Sequence, residues 1–499
     1  MNINLTDNNI GKSEGCIYPR NQISALFSIA DKPLRDLCRE NKNLLVFPHS
    51  IDESDDRVGE SSIISLINTD NPDMVRIQTS NIMGFIGIGD TKIKIHSRFD
   101  DGRQDFLLHY MMQKVISLNV FELNHNTEEE NILEMTIFLL PMFLKAALHQ
   151  GVYKEYQWSR YNDANIKGVV DMPRHIRDNT AFQGRVAYAT REYSYDNSMT
   201  QLIRHTIEFV KTKRYGDAVL NIDTETTEDV STISTYTPTY NRQERAKVIQ
   251  QNLRGKIQPY FTEYIPLQSL CLQILRTENM KYGDNENEIY GILFDGAWLW
   301  EEYLNTILCR HGFSHPMNKI GKGAIYLFKD EERDKTILSG RRYPDFYKSD
   351  FVLDAKYKHL GNYDKVSLVG RDDIHQMIVY MNALKATKGG FIAPLTRHLP
   401  NPPTSRLKDS DSTISIFGIE ISKEPEQYDL FCSSMTDNEK RFIGQLSNIM
   451  QTNDHQIRNY DLVLDAKFGK ANTKGREQAL DDARAFYTGQ ILQDAIKLK

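Results

Sequence analysis

Only five cysteines occur in 499 residues, Cys16, Cys38, Cys271, Cys309 and Cys432, and no two of them form a CxxC pair. That spacing excludes a disulfide frame and a zinc knuckle, and it fits reduced thiols in a cytoplasmic protein. The opening MNINLTDNNIGKSEG has no basic segment followed by an apolar core, so no secretory leader is expected. Long hydrophobic runs are missing as well. The greasiest stretch, 132–150, is interrupted by Glu134, Pro141 and Lys145 and is too short to span lipid, so no membrane association is expected. It reads as a buried helix, kinked or broken near Pro141. An excess of positive charge is missing: the formal net charge is -6, which leaves no global field to attract a polyanion. A local basic track would still serve an enzyme acting on nucleic acid, and a partner could supply most of the grip. The GxxxxGK[ST] phosphate loop is absent too, and GFIGIGD (84–90) matches neither it nor GxGxxG.

What is present is an ordinary folded composition, 40% hydrophobic and 26% charged, in a chain long enough for two to four domains. Residues 1–100 alternate short apolar runs with turns, as VRIQTS and NIMGFIGIGDTKIKIHSRF illustrate, and read as a β-rich N-terminal domain. Residues 101–275 read as a mainly helical middle domain. In it DNSMTQLIRHTIEFVKTK places Met199, Leu202, Ile203, Ile207 and Val210 at helical spacing after the cap candidates Asp196 and Asn197. The Thr-rich passage 223–247 reads as a loop or boundary. A third domain, 285–465, opens with ILFDGAWLWEEYLNTILCRHG, which reads as a helix capped by Asp295 and stopped by Gly312. Strand candidates 324–328, 342–348 and 350–358 follow. A helix over RDDIHQMIVYMNALKA, strands GGFIAPL and STISIFGIEI, and a helix over NEKRFIGQLSNIM complete an α/β core with a mixed sheet. The charged tail 466–499 could add a terminal helix.

The chemistry concentrates in RRYPDFYKSDFVLDAKYK, residues 341–358. Residues two apart on a strand share a face, so Asp354 and Lys356 lie side by side, and a hairpin would bring Asp345 close to Asp354. Two adjacent carboxylates repel unless a cation lies between them, and hard oxygen ligands suit Mg²⁺, which keeps waters and accepts phosphate. A neighbouring lysine can then stabilise charge developing on a phosphoryl oxygen. A DxK pair can also be a surface salt bridge of little energetic value. The apolar FVL before Asp354 argues against that, because an unpaired carboxylate beside such residues is expensive to bury. In GAWLWEEYL, Glu301 stands beside an apolar stripe as a third ligand, an orienter of water or an edge-of-core glutamate. Gln376 and Tyr380, four apart, share a helical face and could hold a water, a phosphate or the Lys356 amine. His375 reads as structural. Arg174, Arg177, Arg191 and Arg204 fit structural networks with acids such as Asp171, Glu192 and Asp196 better than direct DNA contact.

YPDFYK, FVLDAKYK and HQMIVY together resemble the PD-(D/E)xK nuclease pattern, and Gln376 to Tyr380 resembles the QxxxY element of its RecB-like branch. GVVDMPRHIRDN (168–179), GRVAYATREYSYDN (184–197) and QLIRHTIEFV (201–210) resemble the McrC component of 5-methylcytosine-type restriction systems, LlaJI-type relatives included. With LWEEYL, the resemblance covers roughly residues 80–400. It implies a restriction-endonuclease-like fold for the C-terminal part, with Asp345, Asp354 and Lys356 as the catalytic set. It matches Glu301 to the acidic residue of the first core helix, with Glu302 the adjacent alternative. Mg²⁺, with Mn²⁺ as substitute, is the implied metal on Asp345, Asp354 and Glu301. An McrB-like AAA+ GTPase, contacted by the N-terminal region, is the implied partner and binder of GTP. The implied activity is an endodeoxyribonuclease of type IV or LlaJI-like systems, acting on double-stranded DNA, methylated or unmodified. The alternative is a catalytically silent adaptor that stimulates the GTPase.

Overall fold

The computed structural model describes residues 1–9, 16–41, 44–48, 57–89, 91–100, 106–115, 128–213, 216–254, 257–277, 289–316, 323–330, 335–336, 340–360, 363–422 and 427–451. The tail read as 466–499 lies outside them. The chain divides into two compact units, Met1–Arg98 with Gly102–Leu299, and Phe99–Asp101 with Trp300–Lys499.

In the first unit the period-two pattern folds as strands Met74–Thr79, Ile82–Ile88 and Thr91–His96. The latter two join a five-stranded sheet in the order Asn2–Thr6, Thr91–His96, Ile82–Ile88, Ile289–Asp295, Leu44–Phe47. Met74–Thr79 forms the middle of a second sheet, between Ile17–Pro19 and Ile64–Asn68. Ile77, Ile86, Ile93 and Leu293 belong to one apolar cluster that draws on both sheets. Gly84 has φ 128°, and a Cβ there would lie 2.2 Å from the Ile292 carbonyl oxygen, so the strand crossing admits only glycine.

Local expectations are sharpened or corrected in this unit. Residues 289–295, whose apolar end was grouped with the helix that follows, form a strand, antiparallel to Ile82–Ile88 and parallel to Leu44–Phe47. A short apolar run suits either state, and partners some 200 residues away in sequence decide it. The helix begins only at Gly296, with Asp295 Oδ1 accepting the Ala297 N–H at 2.9 Å. The middle region is helical apart from an antiparallel sheet of Glu155–Asp163, Val186–Ser194 and Val169–Val170, in which Val186–Ser194 is central. The Thr-rich passage contains the helix Thr224–Tyr236, whose N-cap Asp223 accepts the Thr226 N–H at 2.8 Å. Burial of Thr226 and Ile233 overrides the weak helix propensity of threonine. Helix Glu128–His149 runs through Pro141 as one element, so of the expected kink or break the break does not occur. Helix Ser198–Val210 is capped by Asn197 in a reciprocal box with Thr200, while Asp196 instead accepts from Gln201 Nε2 at 2.6 Å.

The second unit is built on a mixed sheet in the order Phe346–Lys348, Phe351–Ala355, Lys388–Leu395, Thr413–Glu420, Thr404–Arg406. The outer pairings are antiparallel and the three central strands are parallel. Helix Arg371–Leu384 supplies the crossover between the first two parallel strands, as a parallel pair requires. Val352, Phe391, Ala393, Ile414 and Ile416 cluster with Met377, Tyr380 and Met381 of that helix. A Cβ at Gly389 would meet Met381 Sδ at 2.6 Å, so the glycine sets how closely helix and strand approach. Helix Tyr428–Gln451 contacts the Thr413–Glu420 strand. The expected 342–348 strand is split: Arg341–Arg342 and Phe346–Lys348 are separate, with Pro344 and Asp345 between them. Proline has no N–H to give a ladder, so the break falls where the sequence puts it.

Candidate active site

Asp354 lies on the Phe351–Ala355 strand, with Lys356 immediately beyond its end. Alternation gives Val352 and Asp354 a common face, and Val352 packs in the cluster that contains Met377. Asp354 and Lys356 thus meet helix Arg371–Leu384. The Lys356 N–H donates to the Ile392 carbonyl at 2.8 Å, which fixes the backbone one residue past the last ladder pair.

Asp345 enters from the break in the preceding strand. Its Oδ2 accepts the Ala355 N–H at 2.6 Å, and its carbonyl oxygen accepts from His315 Nδ1 at 2.8 Å. The sequence-based site residues therefore converge. Asp345 and Asp354 influence each other's ionisation, and Glu301 acts on Asp345 as well. Burial, followed by the charges of Glu301 and Asp354, holds the Asp345 carboxyl well above the usual carboxylate range. Asp354 is also raised by burial, against the opposing pull of Lys356. Burial alone would lower the Lys356 pKa, but Asp354 and Asp345 outweigh it and keep the amine protonated.

Lys356 Nζ stands 2.6 Å from Asp354 Oδ2 and donates to Gln376 Oε1 at 2.9 Å. Gln376 Nε2 donates in turn to the Tyr380 hydroxyl at 2.9 Å, and that hydroxyl donates to the Tyr343 carbonyl at 3.0 Å. Of the options left open for Gln376 and Tyr380, the structure realises the hold on the Lys356 amine. The glutamates separate by their neighbours. Both face His315 Nε2, Glu301 at 3.8 Å and Glu302 at 3.6 Å, but Glu301 is the one whose charge bears on Asp345. His375 makes no contact with this cluster among the described residues.

Sequence reasoning missed two members. The His315 side chain is 7% exposed, stacks on Phe346 with centroids 4.8 Å apart, and joins the glutamates to the Asp345 backbone. Nothing in its local sequence marks it. Asp373 lies 3.5 Å from the Lys356 amine and 2.6 Å from that of Lys358. Its spacing, three before Gln376, was a usable signal.

The cluster can be tested for fit to a divalent metal. Asp354 is 2% exposed, and the Lys356 amine meets its Oδ2 at 2.6 Å. A buried carboxyl set against a second raised carboxyl is a donor set that a hard cation satisfies. Among the described residues no three His, Cys, Asp or Glu side chains are grouped as a ready-made cage.

The middle-domain arginines make internal contacts. Arg174 donates to the carbonyls of Tyr161 and Tyr188, each at 2.7 Å, and Arg177 pairs with Asp178. Arg204 pairs with Glu208 at 3.1 Å, and Arg191 lies 5.1 Å from the Tyr156 ring centroid. Among the described residues no helix is long and apolar enough to cross a membrane.

Comparisons with known proteins place these features in a family. The model for the McrBC 5-methylcytosine restriction system component matches residues 77–394. Among solved structures, a half-complex of Thermococcus gammatolerans McrB AAA+ hexamers with bound McrC matches at 16% identity and TM-score 0.46, over 90% of this chain and 100% of that one. The T. gammatolerans McrBC complex solved by cryo-electron microscopy matches at 14% identity and TM-score 0.29, over 62% and 88%. No curated protein matches. With the family model spanning more than half its length and the expected motifs inside that span, this chain belongs to the McrBC family of 5-methylcytosine restriction system components.

Proposed function

We propose that this chain is the McrC-like, DNA-cutting subunit of a motor-coupled restriction endonuclease with a PD-(D/E)xK core. It hydrolyses phosphodiester bonds of duplex DNA and works with a separate McrB-like AAA+ GTPase. The observation that carries the reading is the buried carboxyl of Asp354, set against a second carboxyl, Asp345, with both raised above the usual range and the protonated Lys356 amine 2.6 Å from Asp354. The sequence has no P-loop, which agrees with GTP being bound by another chain.

Asp345 and Asp354 would hold Mg²⁺, or Mn²⁺ in its place, which when bound supplies a Lewis acid for phosphoryl oxygens and a water of lowered pKa; Glu301, expected as a third ligand, is not grouped with them as a cage of three. The chain's own groups do the rest. Lys356, kept protonated, offers an ammonium to the oxygen on which charge grows as the phosphorus is attacked. Gln376 and Tyr380 hold that amine in place, so it does not reorganise during the reaction.

The test is cleavage of methylated and unmodified duplexes by the full chain with its cognate AAA+ GTPase, GTP and Mg²⁺. Wild type cuts; Asp354→Ala and Lys356→Ala do not, while both still stimulate GTP hydrolysis. Cutting at the wild-type rate by either variant refutes the reading. Stimulation by wild type without any cutting, in Mg²⁺ or Mn²⁺, identifies a silent adaptor instead.

A further inference from the structure

We propose that Lys358 contacts a backbone phosphate of the DNA beside the bond to be cut, and that Asp373 holds the lysine in place for it. The proposal rests on the nuclease reading above.

The chain path sets the geometry. Tyr357 is buried and meets the Phe99 ring edge-on, with centroids 5.1 Å apart. Its neighbours on either side both reach Asp373: the Lys356 amine lies 3.5 Å from Oδ1 and the Lys358 amine 2.6 Å from Oδ2. The Lys358 N–H donates to the Lys356 carbonyl at 2.8 Å, which closes the backbone between them. Asp373 is in the first turn of helix Arg371–Leu384, where the helix dipole favours a carboxylate.

The two lysines differ in what remains for a ligand. Lys356 is enclosed by Asp354, Gln376 and Asp373. The Lys358 side chain is 47% exposed, and Asp373 is its one side-chain partner among the described residues. An ammonium has three donors, so two of them face solvent. A half-exposed ion pair adds little stability, which leaves the placement of this cation unexplained by folding. Through Asp373, which it shares with Lys356, Lys358 adjoins a cluster whose carboxyls disfavour a polyanion, and an anchored cation there offsets part of that. Fixing the amine in advance also removes the rotamer entropy that a free surface lysine would lose on binding.

The experiment measures binding of a fluorescent duplex oligonucleotide by the full chain, with Ca²⁺ replacing Mg²⁺, across a salt series. Lys358→Ala is expected to weaken binding several-fold and to reduce the slope of log affinity against log salt by about 0.9, the value of one lost phosphate contact. Lys358→Arg keeps the slope. An unchanged slope in Lys358→Ala overturns the proposal, including the case where cleavage falls through disturbance of Lys356 alone. Absence of duplex binding by wild type overturns it too. Failure of the nuclease reading is seen separately, as cutting by Asp354→Ala in Mg²⁺ with the motor present.

Discussion

The antiparallel sheet at 155–194 and the mixed sheet carrying Asp354 handle polar and apolar groups in opposite ways. On the first, alternation leaves Tyr156, Trp158 and Tyr193 in solvent, Arg174 ends on two carbonyls and Arg191 on a ring, and Arg160 and Arg185 are exposed. On the second, aromatic and branched residues are buried, and the Asp354 carboxyl is buried with them against the Lys356 amine. Charged residues are dense in both. What separates them is where the charge stands, mostly toward solvent on the first and in the core on the second.

The largest effect expected from breaking this contrast is on chemistry. Asp354→Ala or Lys356→Ala should lower cleavage by at least about 10²–10³-fold, the usual cost of removing one charge-stabilising group. An equal loss of GTPase stimulation would show a scaffold role instead. Next comes the apolar side of the contrast. Trp300 is fully buried and donates from Nε1 to the Ile392 carbonyl at 3.2 Å. Trp300→Ala should cost about 3–5 kcal/mol in denaturant unfolding, as large-to-small changes in a packed core do.

A subtler effect concerns the carboxyls themselves. Because Asp345 is raised on folding, its ionisation opposes the folded state above the ordinary carboxylate pKa. Without divalent metal, Asp345→Asn should therefore melt higher than wild type near neutral pH. The gap should close as pH falls through the raised pKa toward the ordinary value, where both proteins carry a neutral side chain. Added Mg²⁺ should raise the melting temperature of wild type more than that of the variant. The smallest effect is expected at Trp158, which is 65% exposed. Trp158→Ala should change stability by less than about 0.5 kcal/mol, and a large loss would mean that this sheet is packed as tightly as the other.

The parts of the site legible from sequence were those governed by short-range periodicity. Asp354 and Lys356 follow from the two-residue repeat of a strand, and Gln376 with Tyr380 from the four-residue repeat of a helix. Asp345 needed only a hairpin. Glu301 and Glu302 could not be told apart, because adjacent helix positions are distinguished by what approaches them, here His315 from a loop and Asp345 from a strand. His315 was invisible for the same reason: its partner carbonyl is 30 residues away. Elements failed where local signals were weak or shared. Thr224–Tyr236 has poor helix formers but a good cap and a buried face, and Ile289–Asp295 has an apolar run that fits two structures until its neighbours choose one.

That late strand has a consequence for synthesis. Ile289–Asp295 is inserted between Ile82–Ile88 and Leu44–Phe47, and among the described residues Leu44–Phe47 has no other neighbour in its sheet. Until nearly three hundred residues have left the ribosome, the amino-terminal sheet remains split, with the open edge of Ile82–Ile88 able to recruit any extended chain. A fragment ending near residue 100 would carry that gap permanently, so self-association rather than independent folding is its natural fate.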